Sequence, residues 1–123
     1  MALISSYLTT RARSFFCAGA GIVRLVRDEK NARIHLLATL VVIVAGYWLD
    51  LTALEWALIV LCIAAVWAAE AMNSAIERIA DVVSPEHHPM IGAAKDLAAG
   101  GVLVVAVGAL VVGLIVLFSH LAL

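Results

Sequence analysis

Charge is scarce in this sequence, and the familiar signatures of soluble nucleotide enzymes are missing from it. Only 14% of its 123 residues are charged. No glycine-rich run ends in Gly-Lys-Ser/Thr, and there is no His-Arg-Asp catalytic loop. No basic patch interleaved with aromatics is present, which excludes nucleic acid as a partner. Residues 1–13 lack a charged segment followed by an apolar one, so no cleaved signal peptide is expected. There are two cysteines, Cys17 and Cys62, far apart and without metal-ligand spacing. Both are read as small core residues and say nothing of redox compartment. Internal repeats and low-complexity tracts are also absent.

What is abundant is apolar surface. Hydrophobic residues make up 65% of the chain and its mean hydropathy is +1.10. A soluble domain is about 45–50% apolar, so the composition belongs to the membrane class. The expected fold is all-α: an N-terminal amphipathic interfacial helix (about 7–33) and three transmembrane helices (about 35–54, 56–82 and 95–118). Together they form a single membrane domain over 1–123. The third span, Leu97 to Phe118, carries no charge and exceeds the roughly 20 residues a bilayer requires. Gly100, Gly101, Gly108 and Gly113 lie along it, either because small residues permit close helix–helix approach or because glycine is common in membrane helices. Three short spans have little interior of their own, so a chain that must build a pocket is expected to oligomerise.

The basic residues orient the spans. Arg11, Arg13, Arg24, Arg27, Lys30 and Arg33 precede the first, the connection Asp50–Glu55 has none, and Arg78 and Lys95 flank the second connection. The positive-inside rule then puts the N-terminus in the cytoplasm and the C-terminus outside. Tyr47, Trp48 and Trp56 form the aromatic belt of the outer end. Over residues 7–27, Leu8, Phe15, Ile22 and Val26 share one helical face and Arg13, Arg24 and Arg27 the other, the pattern of a helix lying in the interface. Ser84, Pro85 and Pro89 interrupt the helix after the second span and leave a short loop around Glu86, His87 and His88.

The chemistry concentrates in Glu70-Ala-Met-Asn73-Ser-Ala-Ile-Glu77-Arg-Ile-Ala-Asp81. Spacings of three, four and four place Glu70, Asn73, Glu77 and Asp81 in one polar stripe on a helix face. Glu70 follows the uninterrupted apolar run Trp56–Ala69, and an ionisable group at that depth makes function the default hypothesis. For Asp81 alone, a hydrogen bond to a neighbouring helix is explanation enough. Glu70, Asn73 and Glu77 together are three oxygen-bearing groups with no basic residue among them. Such a site wants a hard cation such as Mg²⁺, which keeps waters and often brings a phosphate ligand. Glu29 lies just before the first span, where it either reaches the same metal or is a solvated helix end. Lys95-Asp96 opens the third span, either to neutralise phosphate at a helix N-terminus or to anchor the helix at the interface. His87 and His88 are potential ligands but read equally as solvated loop residues. His35 and His120 lie near span ends with no evident partner.

These residues carry a resemblance. Glu70-Ala-Met-Asn73-Ser-Ala-Ile-Glu77, with Asp28-Glu29-Lys-Asn31 before it and Ala93-Ala94-Lys95-Asp96 after it, resembles the small bacterial integral-membrane diacylglycerol/undecaprenol kinase family. The resemblance covers about residues 15–118. It implies a homotrimer with active sites shared between subunits, Glu29 from one chain meeting Glu70 and Glu77 of its neighbour. It implies ATP, Mg²⁺ and a membrane lipid alcohol as reactants, in the bacterial cytoplasmic membrane. By position, Glu70 matches the general base, Glu29 and Glu77 the metal-binding carboxylates, and Asn73 the polar residue between them. Cys17, Glu86, His87, His88, Lys95 and Asp96 fall where the family contacts nucleotide. His87-His88-Pro89 and Ala98-Ala99-Gly100 look more like the undecaprenol branch than the diacylglycerol branch. The rival from another class is a small proton-coupled transporter with Glu70 as proton carrier, which would need neither Lys95-Asp96 nor Glu29.

Overall fold

The computed structural model describes residues 1–121; positions 122 and 123 of the expected domain lie outside the described residues. Four helices follow one another: α1 (Ala2–Asp28), α2 (Lys30–Trp48), α3 (Ala53–Val83) and α4 (Pro89–Leu121). The last three are each long and apolar enough to cross a membrane. Their apolar side chains stay largely uncovered within the chain: Val104 is 73% exposed and Ile115 65%. For a membrane helix that surface faces lipid or another copy rather than water.

The single helix expected over 7–33 is divided at Glu29, whose backbone is extended at φ −103°, ψ 123°. Arg33 explains the break. Its guanidinium donates back to the carbonyls of Val26 (3.1 Å) and Arg27, which are among the last acceptors of α1 left without helical partners. Among its described residues, α1 is exposed along nearly all its length until Leu25, the one it buries. Cys17 is therefore exposed, against the expectation of a core residue, because nothing packs on that stretch of α1.

α2 stops at Trp48, before the expected end of the first span. Asp50 takes a left-handed φ of 54°. The Asp50 N–H then bonds the Tyr47 carbonyl (3.4 Å) and the Leu51 N–H the Gly46 carbonyl (3.2 Å), the pairing of a Schellman C-cap. Two residues later Thr52 and Glu55 form a reciprocal capping box that starts α3. The whole reversal takes Leu49–Thr52.

Past Ser84, the loop ends at His88, and Pro89 opens α4 instead of lengthening the break. Proline suits the first helical position, where its missing N–H costs nothing.

α3 and α4 are the principal packed pair, and α2 packs on α3 rather than on α4. At the Glu55 end, Leu51, Ile59 and Val116 form a small core flanked by Val42, Leu49, Trp56 and Ile63. Tyr47 and Trp56 rings lie 5.0 Å apart there, and His120 Nε2 lies 3.0 Å from Glu55 Oε1, tying the end of α4 to the start of α3. The expectation that His120 lacks a partner is thus corrected. Gly100, Gly101, Gly108 and Gly113 face no atom of the chain within 4 Å of a would-be Cβ, so close packing within the chain does not use them. Gly46 on α2 is the close-approach glycine instead.

Candidate active site

The other end of the bundle is polar inside. Glu70 is 1% exposed, Asn73 7% and Ser74 5%, all on α3. Helical spacing puts these groups on one face, and the stripe that ought to be costly in a membrane is buried within the chain. Glu70 Oε2, Asn73 Oδ1 and Ser74 Oγ are fully buried and have no hydrogen-bond partner. Buried oxygens are normally satisfied, so three orphans within two turns mark a place shaped for something other than helix packing.

Asn73 Nδ2 donates to Glu77 Oε1 at 3.3 Å, which fixes the Glu77 carboxylate and leaves the Asn73 carbonyl oxygen free. Arg78 Nη2 donates to Asp28 Oδ2 (3.2 Å) and Glu29 Oε1 (3.3 Å). That contact draws the α1–α2 junction against α3, so Glu29 lies at the same end of the chain as Glu77. Arg78 is thereby committed to the carboxylates of the junction, and no ion pair joins it to Glu70 or Glu77. Asp28 is held down to about 2, first by its hydrogen bond from Arg27 (2.7 Å) and then by Arg78.

His35 is the second base that sequence reasoning passed over. Its Nε2 faces Glu70 Oε2 at 3.7 Å. One turn along α2, Thr39 Oγ1 accepts from Trp67 Nε1 at 3.1 Å. The two contacts form a ladder, because 35 and 39 on α2 oppose 70 and 67 on α3 running the other way. A His with a Thr one turn later was visible in the sequence, but nothing there said which helix faces them.

Lys95 Nζ donates to Asp81 Oδ1 at 2.8 Å, linking α4 to α3 across the loop. Asp81 has the structural role expected of it, and Lys95 stands at the Glu77 end of the bundle. Glu86, His87 and His88 lie in the exposed connection, where Ser84 Oγ donates to the Glu86 carbonyl (2.8 Å) and His88 Nδ1 accepts from the Met90 N–H (3.2 Å). Asp96 follows Lys95 on α4. Cys17 lies about 18 Å up α1 from Glu29 at 1.5 Å per residue, so the chain alone does not bring it to the carboxylates.

Among the described residues, no three His, Cys, Asp or Glu side chains form a cage for a metal ion. The donor set fits Mg²⁺ in another way. Two carboxylates and an orphaned amide oxygen are hard ligands, and Mg²⁺ commonly takes one or two carboxylates and completes its shell with waters and substrate phosphates.

Three helices long and apolar enough to cross a membrane, with a buried carboxylate at one end of the bundle, define the class as a multi-pass membrane protein. Residues 16–117 match the prokaryotic diacylglycerol kinase family. The chain is 38% identical over 109 residues to an undecaprenol kinase of Bacillus subtilis, covering 89% of each. It is 34% identical over 93 residues to a diacylglycerol kinase of Escherichia coli K12, covering 76% of each. A diacylglycerol kinase of Synechocystis is 37% identical over 101 residues, 81% of this chain and 58% of that protein. The chain belongs to the prokaryotic diacylglycerol kinase family, a family of membrane lipid kinases.

Proposed function

We propose that the protein phosphorylates undecaprenol, transferring the γ-phosphate of Mg-ATP to the lipid hydroxyl at the cytoplasmic face of the bacterial inner membrane. The observation that carries the reading is the fully buried Glu70, with an unpartnered carboxylate oxygen about 10 Å deeper than Glu77 at 1.5 Å per residue. A lipid hydroxyl lies at the membrane boundary, so its base belongs deeper than the groups that hold nucleotide. Likeness to the Bacillus undecaprenol kinase over 89% of the chain favours the polyprenyl substrate. Likeness to the Escherichia coli diacylglycerol kinase keeps diacylglycerol as the alternative.

In this reading Glu29 and Glu77 hold Mg²⁺, and Asn73 keeps the Glu77 carboxylate in place through the bond from its amide. When bound, the metal supplies charge neutralisation on the phosphates, the main requirement of phosphoryl transfer. Lys95 adds a positive charge at the phosphates, and Asp96, Glu86, His87, His88 and Cys17 line the nucleotide. The Glu70 carboxylate takes the hydroxyl proton as the lipid oxygen bonds to the γ-phosphorus. The bond from that phosphorus to the bridging oxygen breaks, and its electron pair leaves with ADP.

The assembly in this reading is a homotrimer with shared sites. One chain has too few spans to enclose nucleotide, metal and lipid tail, and its three spans leave most of their apolar surface uncovered. Arg78 joins Glu29 to the Glu77 end within one chain, so the boundary of a shared site falls more naturally between Glu77 of one chain and Glu70 of the next. α1 lies in the cytoplasmic interface, with the C-terminus outside.

The test is transfer of labelled phosphate from Mg-ATP by the purified protein to undecaprenol and to diacylglycerol in separate micelles. Faster labelling of undecaprenol supports the assignment. Preferential labelling of diacylglycerol moves the chain to the alternative, and labelling of neither overturns the kinase reading.

A further inference from the structure

The contact between His35 and Glu70 has no part in the reaction as described, although it is the closest approach any basic side chain makes to the buried carboxylate. Among the described residues at this end, Arg78 is paired with Asp28 and Glu29, Lys95 with Asp81 and Arg27 with Asp28, and neither Lys30 nor Arg33 forms an ion pair with Glu70. Glu70 thus has one attractive partner on the facing helix, and that partner is a histidine.

The geometry restricts both side chains. The Glu70 side chain is 2% exposed and that of His35 20%. Glu70 Oε2 is the enclosed oxygen and lacks any hydrogen bond. The Trp67–Thr39 bond one turn away fixes how α2 lies on α3, so position 35 stays opposite position 70. His35 also lines the end of an apolar cavity of about 420 Å³ that runs between α2, α3 and α4 as far as Leu117. The imidazole therefore stands where that apolar space meets the carboxylate.

Resting on the assignment of Glu70 as base, we infer that His35 is its positioning residue. The His35 Nε2–H holds Oε2, so that the carboxylate presents its other oxygen to the lipid hydroxyl. The separation of 3.7 Å is longer than a hydrogen bond, and catalytic contacts commonly tighten when substrate binds. A carboxylate without this restraint would rotate freely about its last torsion, and a misdirected base loses rate without losing substrate.

The experiment measures kcat and both KM values for His35→Leu, His35→Gln and Glu70→Gln in one phosphate-transfer assay. His35→Leu removes the donor at similar bulk. It is expected to lower kcat on the order of 10- to 100-fold, the scale of a lost hydrogen bond to a charged group, with the KM for Mg-ATP unchanged. His35→Gln carries an amide N–H at nearly the reach of Nε2 and is expected to recover most of that loss. Full turnover by His35→Leu overturns the inference, and so does equal impairment of the leucine and glutamine variants. If His35→Leu fails to assemble, His35→Asn replaces it, since its amide stops short of Oε2. Turnover of His35→Asn equal to that of His35→Gln then overturns the inference. Glu70→Gln separates the two layers: if it remains active, the base assignment itself is wrong, whatever position 35 does.

Discussion

A methyl group on Gly46 would lie 2.6 Å from the indole of Trp56, closer than side-chain carbons approach one another. The indole has little room to yield. The Tyr47 ring lies 5.0 Å from it on one side, and Leu51 Cδ1 would stand 3.1 Å from the same methyl. Gly46 also supplies the carbonyl that accepts from Leu51 in the reversal between α2 and α3. Gly46→Ala is therefore expected to destabilise the fold by about 1–3 kcal/mol, the usual cost of overpacking. Thermal unfolding in detergent measures it. The penalty should shrink in a Trp56→Leu background, where the obstructing ring is gone, and an unchanged penalty would locate the strain elsewhere.

Much of this end of the molecule could be read from the chain. The aromatic cluster Tyr47, Trp48 and Trp56 and the lack of basic residues in the short connection between the first two spans both mark it as the outer end. Its details were also within reach, since Thr52-x-x-Glu55 is a capping-box spacing, yet the continuing apolar run hid the stop at Trp48. The polar stripe Glu70–Asn73–Glu77 was legible because helical period alone places those residues together. Arg78, His35 and His120 were not. Each finds its partner across helices, at separations of 49, 35 and 65 positions, and periodicity within one helix carries no information about which face another helix will meet. The glycines of α4 illustrate the same point: small residues permit close approach, but only the partner helix decides whether it happens.

If Glu70 removes the hydroxyl proton, Glu70→Gln should lower turnover at least 100-fold, the ordinary scale of losing a general base. Glutamine is nearly isosteric and keeps an oxygen beside His35, so burial and packing are preserved. Binding of Mg-ATP, followed by equilibrium titration, should change little because Glu29, Glu77 and Lys95 are untouched. Turnover near that of the unaltered protein would remove Glu70 from the chemistry.

Glu29 and Glu77 should behave as one unit toward metal. Alanine at either position is expected to raise the Mg²⁺ concentration needed for half-maximal activity. The double variant should be little worse than either single one, since both changes dismantle the same site. Glu29→Ala also releases Arg78 from one of its two carboxylates, but Asp28 still holds the other N–H contact, so the α1–α2 junction keeps its link to α3. Independent, additive shifts would show that one of the carboxylates is structural only.

The shared-site reading makes the sharpest demand on the protein. Within one chain, Arg78 holds Glu29 beside the Glu77 end of α3, while Glu70 lies about 10 Å deeper on the same helix at 1.5 Å per residue. That interval is long for a single relay from metal-bound phosphate to hydroxyl to base, and Glu70 of an adjoining subunit would shorten it. Glu29→Ala chains keep an intact Glu70, and Glu70→Gln chains keep an intact Glu29 and Glu77. Each variant alone is expected to be nearly inactive. Mixed trimers should regain part of the activity, because some interfaces then combine the sound metal site of one chain with the sound base of the next. A site confined to one chain would stay inactive in every mixture, since no single chain in it carries both groups. Activity should be measured after subunit exchange has been verified by co-purification of differently tagged chains. Verified exchange with no recovery would refute the shared site while leaving the assignments of Glu29, Glu70 and Glu77 to be judged by their own variants.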